Sequence, residues 1–192
     1  THPDHGFLGE ESGRSGGDEF LWIIDPLDGT TNFLHGFPTF AVSLACEYRG
    51  RLEHAVVYDP MRQELFTASR GGGAQVDGRR IRVSKQTTLE GALVATGFPQ
   101  RDNSRWLDDY MAMLKAMMLT TAGVRRPGAA SLDLAYVAAG RVDGGGVRPG
   151  RQAGEEESER LSAAARSRPP MTISVTMSLA HRFLATGLPK VP

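Results

Sequence analysis

Asp25 and Asp28 share one tight turn in the run Trp22 to Phe33, WIIDPLDGTTNF. Carboxylates are hard oxygen donors, and two in one turn suit Mg²⁺. Upstream lies Glu10-Glu11-Ser12, after apolar Phe7-Leu8 and Gly9. A carboxylate from a separate strand end completes what one turn cannot. Two divalent ions about 3.5–4 Å apart, sharing a bridging carboxylate, bind both the attacking and the leaving oxygen of a phosphoryl transfer. Asp25 is the candidate bridge, with Glu10 on one ion and Asp28 on the other. Glu11 suits a surface role as well as ligation.

The elements that must hold these residues read directly from the same run. Leu21 to Ile24 is apolar without alternation, the pattern of a strand buried on both faces. Pro26 removes a backbone donor and fixes φ, so the strand cannot run straight through it. Gly29 permits backbone geometry or a close approach that a side chain would forbid. Thr30, Thr31 and Asn32 are helix-start residues, and Phe33-Leu34 begins an apolar face. A helix start beside an acidic turn offers free N–H groups to an anion. The spacing does not match an EF-hand loop, which needs acidic residues at alternating positions and a terminal Glu.

Around this centre the chain reads mainly as β-structure. Phe7–Glu11 is a short strand, and Ser12 to Asp18 (SGRSGGD) is a flexible loop. Strands are expected over 40–48, 53–58 and 64–68, with turns at Arg49-Gly50-Arg51 and Asp59-Pro60-Met61-Arg62. Gly71-Gly72-Gly73 lacks the Lys and Ser/Thr of a P-loop and reads as a turn. Asp77-Gly78 marks a hairpin. Leu93–Thr96 is a strand. Asn103 or Ser104 caps a helix over 105–120, whose stripe Trp106, Leu107, Tyr110, Met111, Leu114, Met117 and Met118 reads as core. Val124 opens a short strand. A further helix covers 129–139, with Gly140 at C′ and Asp133 structural within it. After Asp143 the composition changes to Gly, Arg, Glu and Ala. Residues 1–143 therefore form the domain, 144–170 a linker too poor in apolar side chains to bury a core, and 171–192 a short apolar tail. Glu155-Glu156-Glu157 is a solvated charge run.

The 192 residues suffice for one domain with a real core, and 40% hydrophobic with 23% charged residues is ordinary globular composition. A net charge of zero gives no argument for a nucleic-acid partner or an anionic membrane. No apolar run approaches the roughly 20 residues a membrane span needs. The single cysteine, Cys46, excludes an internal disulfide and fits a reducing, cytoplasmic setting. It lies in an apolar run and reads as a buried, inert thiol.

GEES, DPLDGTTNF and HGFPTFAVSLA together resemble the inositol monophosphatase family, close to its bacterial members. The likeness continues through AVVYDPMRQELFTASRGGGAQVDGRRIRVS, LVATGFP and RRPGAASLDLAYVAAGRVDG, from about Pro3 to Gly144. It implies an α+β fold, the layered αβαβα sandwich of the inositol monophosphatase/fructose-1,6-bisphosphatase superfamily, here incomplete. It also implies Mg²⁺-dependent hydrolysis of inositol 1-phosphate by a metal-activated water. One ion would be held by Glu10, Asp25 and the Leu27 carbonyl, and a second by Asp25 and Asp28. Glu10 and Thr30 would orient the water. Leu27, Asp28 and the N–H groups around Gly29, Thr30 and Thr31 would meet the substrate. No covalent phosphoenzyme is implied. The expected partners are a small phosphorylated polyol or sugar and, as in many family members, a second copy of the chain.

The chain also departs from the family pattern. No Trp-Asp pair follows GRVDG, so a ligand of the second ion is missing, and of the two or three ions in the intact family one well-held Mg²⁺ site is expected. The leading helices before HPDHGFLGEES are absent, and with them the Asp that pairs with the threonine matching Thr30. The chain is thus expected to be truncated in front, and its composition after about residue 144 resembles a shifted reading frame. Two alternatives follow. One is a catalytically impaired member acting as a binding protein; the other is a phosphatase of histidinol phosphate, fructose bisphosphate or a nucleotide bisphosphate.

Overall fold

The computed structural model describes residues 2, 4–10, 12–17, 19–98 and 107–146. Two sheets form. The larger contains β1 (Gly6–Gly9), β2 (Gly13–Ser15), β3 (Phe20–Asp28), β4 (Ala41–Tyr48), β5 (Arg51–Asp59), β6 (Glu64–Ser69), β7 (Gly73–Val76) and β8 (Arg79–Arg80). Its order is β2-β1-β3-β4-β5-β6-β7-β8, and only β1 and β3 run parallel. The smaller sheet is parallel, with β9 (Leu93–Thr96) between β10 (Gly123–Arg125) and β11 (Gly144–Gly146). Three helices complete the described chain: α1 (Thr30–Leu34), α2 (Leu107–Thr120) and α3 (Ala130–Ala138).

Tight turns set the meander of the larger sheet. Arg49 and Gly50 both take positive φ between β4 and β5, as do Asp77 and Gly78 between β7 and β8. Such turns match the right-handed twist of the strands they join. The β5–β6 turn is held by Asp59, whose Oδ1 accepts the Met61 and Arg62 N–H groups at 3.0 Å each. Its Oδ2 accepts from Arg62 Nη1 and from the Tyr136 hydroxyl of α3, both at 3.0 Å.

α3 lies between the sheets. Leu132, Ala135 and Ala138 pack on Ala41, Ala55, Val57, Phe66 and Ala68 of the larger sheet. Val137 meets the smaller sheet: a Cβ added to Gly145 would sit 3.5 Å from its Cγ2. Helix between sheets is the inner part of the expected α+β sandwich, present here in part.

Several expectations are corrected. SGRSGGD is not wholly a loop: Gly13–Ser15 folds back antiparallel onto β1. β3 is not buried on both faces; Leu21 is buried, but Trp22, Ile23 and Ile24 are half-buried. Its irregularity at Pro26 appears as a shift in register between Asp25 and Asp28, with pairing to β4 on either side. The methionine stripe of α2 is not core among the described residues. Only Tyr110 is buried there, its hydroxyl 3.2 Å from Thr96 Oγ1, while Met111 and Met118 are exposed. The smaller sheet continues past the expected boundary, since Gly144–Gly146 pairs with β9. Glu11, Trp106, the cap at Asn103 or Ser104, and the linker and tail from 147 onward lie outside the described residues.

Candidate metal centre

β1 ends beside the middle of β3. Its last residue, Gly9, pairs with Ile24 in parallel register, so the next residue along each segment is a carboxylate, Glu10 just past β1 and Asp25 within β3. Glu10 is exposed and Asp25 half-buried. The register then shifts between Asp25, opposite Ser43, and Asp28, opposite Ala41, so Asp28 closes β3 three positions later. Asp25 Oδ1 accepts the Leu27 N–H at 3.1 Å, an Asx-type hydrogen bond that fixes this carboxylate at the irregularity in β3.

Gly29 then reverses the chain into α1. It takes φ 87° at the N-cap, and a Cβ there would lie 3.0 Å from the Thr39 carbonyl and 3.3 Å from Ala129 Cβ. Conformation and space both require glycine. Thr30 does not cap α1. Its hydroxyl donates instead to the Leu27 carbonyl at 2.9 Å, leaving its oxygen free to accept. Thr30 and Thr31 are exposed at the start of this short helix.

Three tethers bind the turn to the start of α3. Asn32 Nδ2 donates to the Thr39 and Pro127 carbonyls, 2.7 Å each. Gly29 packs on Ala129. Asp28 Oδ2 accepts the Ser131 N–H at 2.6 Å and also the Ser131 hydroxyl. The helix has no side-chain N-cap of its own, because Ala129 occupies that place. Asp28 supplies the missing acceptor from another element, where a negative charge is favoured by the exposed N–H groups.

Sequence reasoning missed Ser131, treated Asn32 only as a helix-start residue, and left Asp133 as structural. Asp133 is buried in the first turn of α3, and its Oδ1 has no hydrogen-bond partner among the described residues. Burial first, then the nearby Asp28 charge, push its carboxyl up to about 7, against an opposing pull from Arg126. Ser and Asp in a helix's first turn were the available signal.

The donor chemistry fits a divalent cation. Asp25 is pushed up to about 6, first by burial, then by Asp28; the Leu27 N–H opposes this, and Glu10 adds to it. Carboxylates that disfavour one another's charge are stabilised by a shared cation. Among the described residues no three carboxylate, imidazole or thiol side chains close into a ready cage. The fit therefore rests on donor type and strand placement, with Asp28 turned to Ser131. Glu10, Asp25, the Leu27 carbonyl and Asp28 are the groups that would hold the ion.

The family model described as "Inositol monophosphatase family" matches residues 1–149. The chain is 64% identical over 148 residues to "Nus factor SuhB" of Pseudomonas aeruginosa, covering 74% of this chain and 55% of that protein. The solved extragenic suppressor protein suhB of Bartonella henselae is 48% identical with a TM-score of 0.72, over 77% of this chain and 57% of that one. The inositol monophosphatase of Anabaena is 46% identical with a TM-score of 0.70, over 76% and 58%. The chain spans about half the length of the curated relatives it matches.

Proposed function

Because the chain belongs to the inositol monophosphatase family, we propose that its site serves Mg²⁺-dependent hydrolysis of a small phosphate monoester, myo-inositol 1-phosphate giving myo-inositol and phosphate. One observation carries this reading: Glu10 and Asp25 follow directly on the paired residues Gly9 and Ile24 of two parallel strands. The metal, when bound, supplies a more acidic coordinated water and positive charge for the phosphate oxygens.

The chain's own residues would do the rest. Glu10, Asp25 and the Leu27 carbonyl hold one ion, and this is the better-supplied site. Asp25 and Asp28 contribute to a second. Thr30, its proton committed to the Leu27 carbonyl, offers its oxygen to a water proton, and Glu10 orients the same water. The N–H groups of Gly29, Thr30 and Thr31 face the phosphate at a helix start. Cys46 is buried, which argues against a thiol nucleophile and for direct attack by water. A homodimer and a cytoplasmic setting are part of the same reading.

The description of the most similar relatives as Nus factors favours a second reading, a binding role of that kind in which hydrolysis is secondary. Phosphate release from myo-inositol 1-phosphate, with and without Mg²⁺, decides between them. The phosphatase reading expects Mg²⁺-dependent release that Asp25→Asn abolishes. Absence of release from a folded chain that binds the metal favours the binding role.

A further inference from the structure

We propose that Ser131 is a positioning residue for the acidic site, its hydroxyl holding the Asp28 carboxylate by one oxygen and keeping the other available to a cation. The inference rests on the metal-dependent reading above. It adds a residue on a different element, far along the chain, whose N–H and hydroxyl both go to the Asp28 carboxylate.

Ser131 is fully buried at the second position of α3. Both of its donors, N–H and hydroxyl, go to Asp28 Oδ2. No hydrogen bond engages Asp28 Oδ1 among the described residues. A carboxylate gripped this way has its rotamer fixed before a cation arrives, so binding orders less of the site. Hydrogen bonds to a ligating carboxylate commonly set metal affinity for this reason. The opposing effect is that two donors draw charge from the carboxylate and weaken it as a ligand. Orientation should dominate, because both donors sit on the same oxygen and leave the other unengaged. The backbone N–H persists in any variant, whereas the hydroxyl is particular to serine. Replacing it isolates the grip.

A merely structural Ser131 would act by tethering the turn to α3, a task it shares with Asn32. Asn32 reaches the Pro127 carbonyl at 2.7 Å, and among the described residues its side chain makes no hydrogen bond to Asp28. Mn²⁺ serves as the probe, its free fraction read by electron paramagnetic resonance and folding by thermal unfolding, on the whole chain as wild type, Ser131→Ala and Asn32→Ala. Ser131→Ala is expected to weaken Mn²⁺ binding by about 10-fold, with Asn32→Ala leaving it within about 2-fold of wild type, a span of roughly 0.4 kcal/mol. Equal binding by Ser131→Ala and wild type overturns the proposal, and so does equal weakening by both variants, which would mean general loosening. If wild type itself binds no Mn²⁺, the phosphatase reading falls first and this inference with it. If Ser131→Ala loses its cooperative transition, Ser131→Cys, close in size and a weaker donor, is read in its place against the same outcomes.

Discussion

Asp28 Oδ2 is shared by both donors of Ser131, the backbone N–H at 2.6 Å and the hydroxyl. An aspartate read from sequence as a metal ligand is thus also the acceptor that finishes the N-terminus of α3. It joins the edge of the acidic turn to the helix on which the core is built. The two duties separate by substitution.

Asp28→Ala should destabilise the chain by about 1–3 kcal/mol, since it strips an anion and two hydrogen bonds from a helix start. Asp28→Asn keeps an acceptor oxygen and should cost less than half as much. Both should lose metal affinity together. Denaturant unfolding of the two variants checks the order, and equal stability of Asp28→Ala and wild type would contradict the tether.

Asn32 is the second bridge. Its amide serves the Thr39 and Pro127 carbonyls at once, and the backbone at Gly128 comes so close that a Cβ there would lie 2.9 Å from Asn32 Nδ2. Asn32→Ala leaves both carbonyls without this donor, at a cost of about 1–3 kcal/mol. A midpoint shift in urea at unchanged slope is the expected result.

Asp133 gives the metal-free chain a pH dependence of stability. Its folded carboxyl sits at about 7 against an ordinary 3.8. The folded state therefore holds this proton more tightly than the unfolded state does. The associated stability is complete below about pH 4 and is lost as pH rises through about 7. The loss should amount to roughly 1–4 kcal/mol, since one pKa unit corresponds to about 1.4 kcal/mol and burial is incomplete. The stability difference between wild type and Asp133→Asn should fall over that window. A difference that rises with pH would contradict the assignment.

Cys46 is buried on β4, and burial, with Glu47 and Glu53 nearby, pushes its thiol up. Its reaction with a water-soluble disulfide reagent should be slow in the native chain and fast in denaturant. Rapid labelling of the folded chain would contradict this placement.

The acidic run was legible as a local break because its chemistry is local, but its form was not. Carboxylates, proline and glycine suggested a tight turn, whereas β3 continues to Asp28 with a register shift, held in the sheet by its pairing with β4. What sequence could not supply was partnership. Ser131 and Asp28 meet across the fold, and nothing in either neighbourhood names the other. The spacing of Met111 and Met118 described a helix face correctly but could not say what covers it. Gly144–Gly146 reads as linker by composition, yet pairs because β9 offers a free parallel edge. Gly13–Ser15 likewise takes its conformation from β1, not from its own residues.

The central claim is that Glu10, Asp25 and Asp28 together hold a divalent cation. Calorimetric titration of Mg²⁺ into wild type, Glu10→Gln and Asp25→Asn tests it most directly. The account predicts saturable binding by wild type, a loss of about 10-fold or more in Glu10→Gln, and no measurable binding in Asp25→Asn while both variants stay folded. Equal Mg²⁺ affinity in all three chains would contradict it.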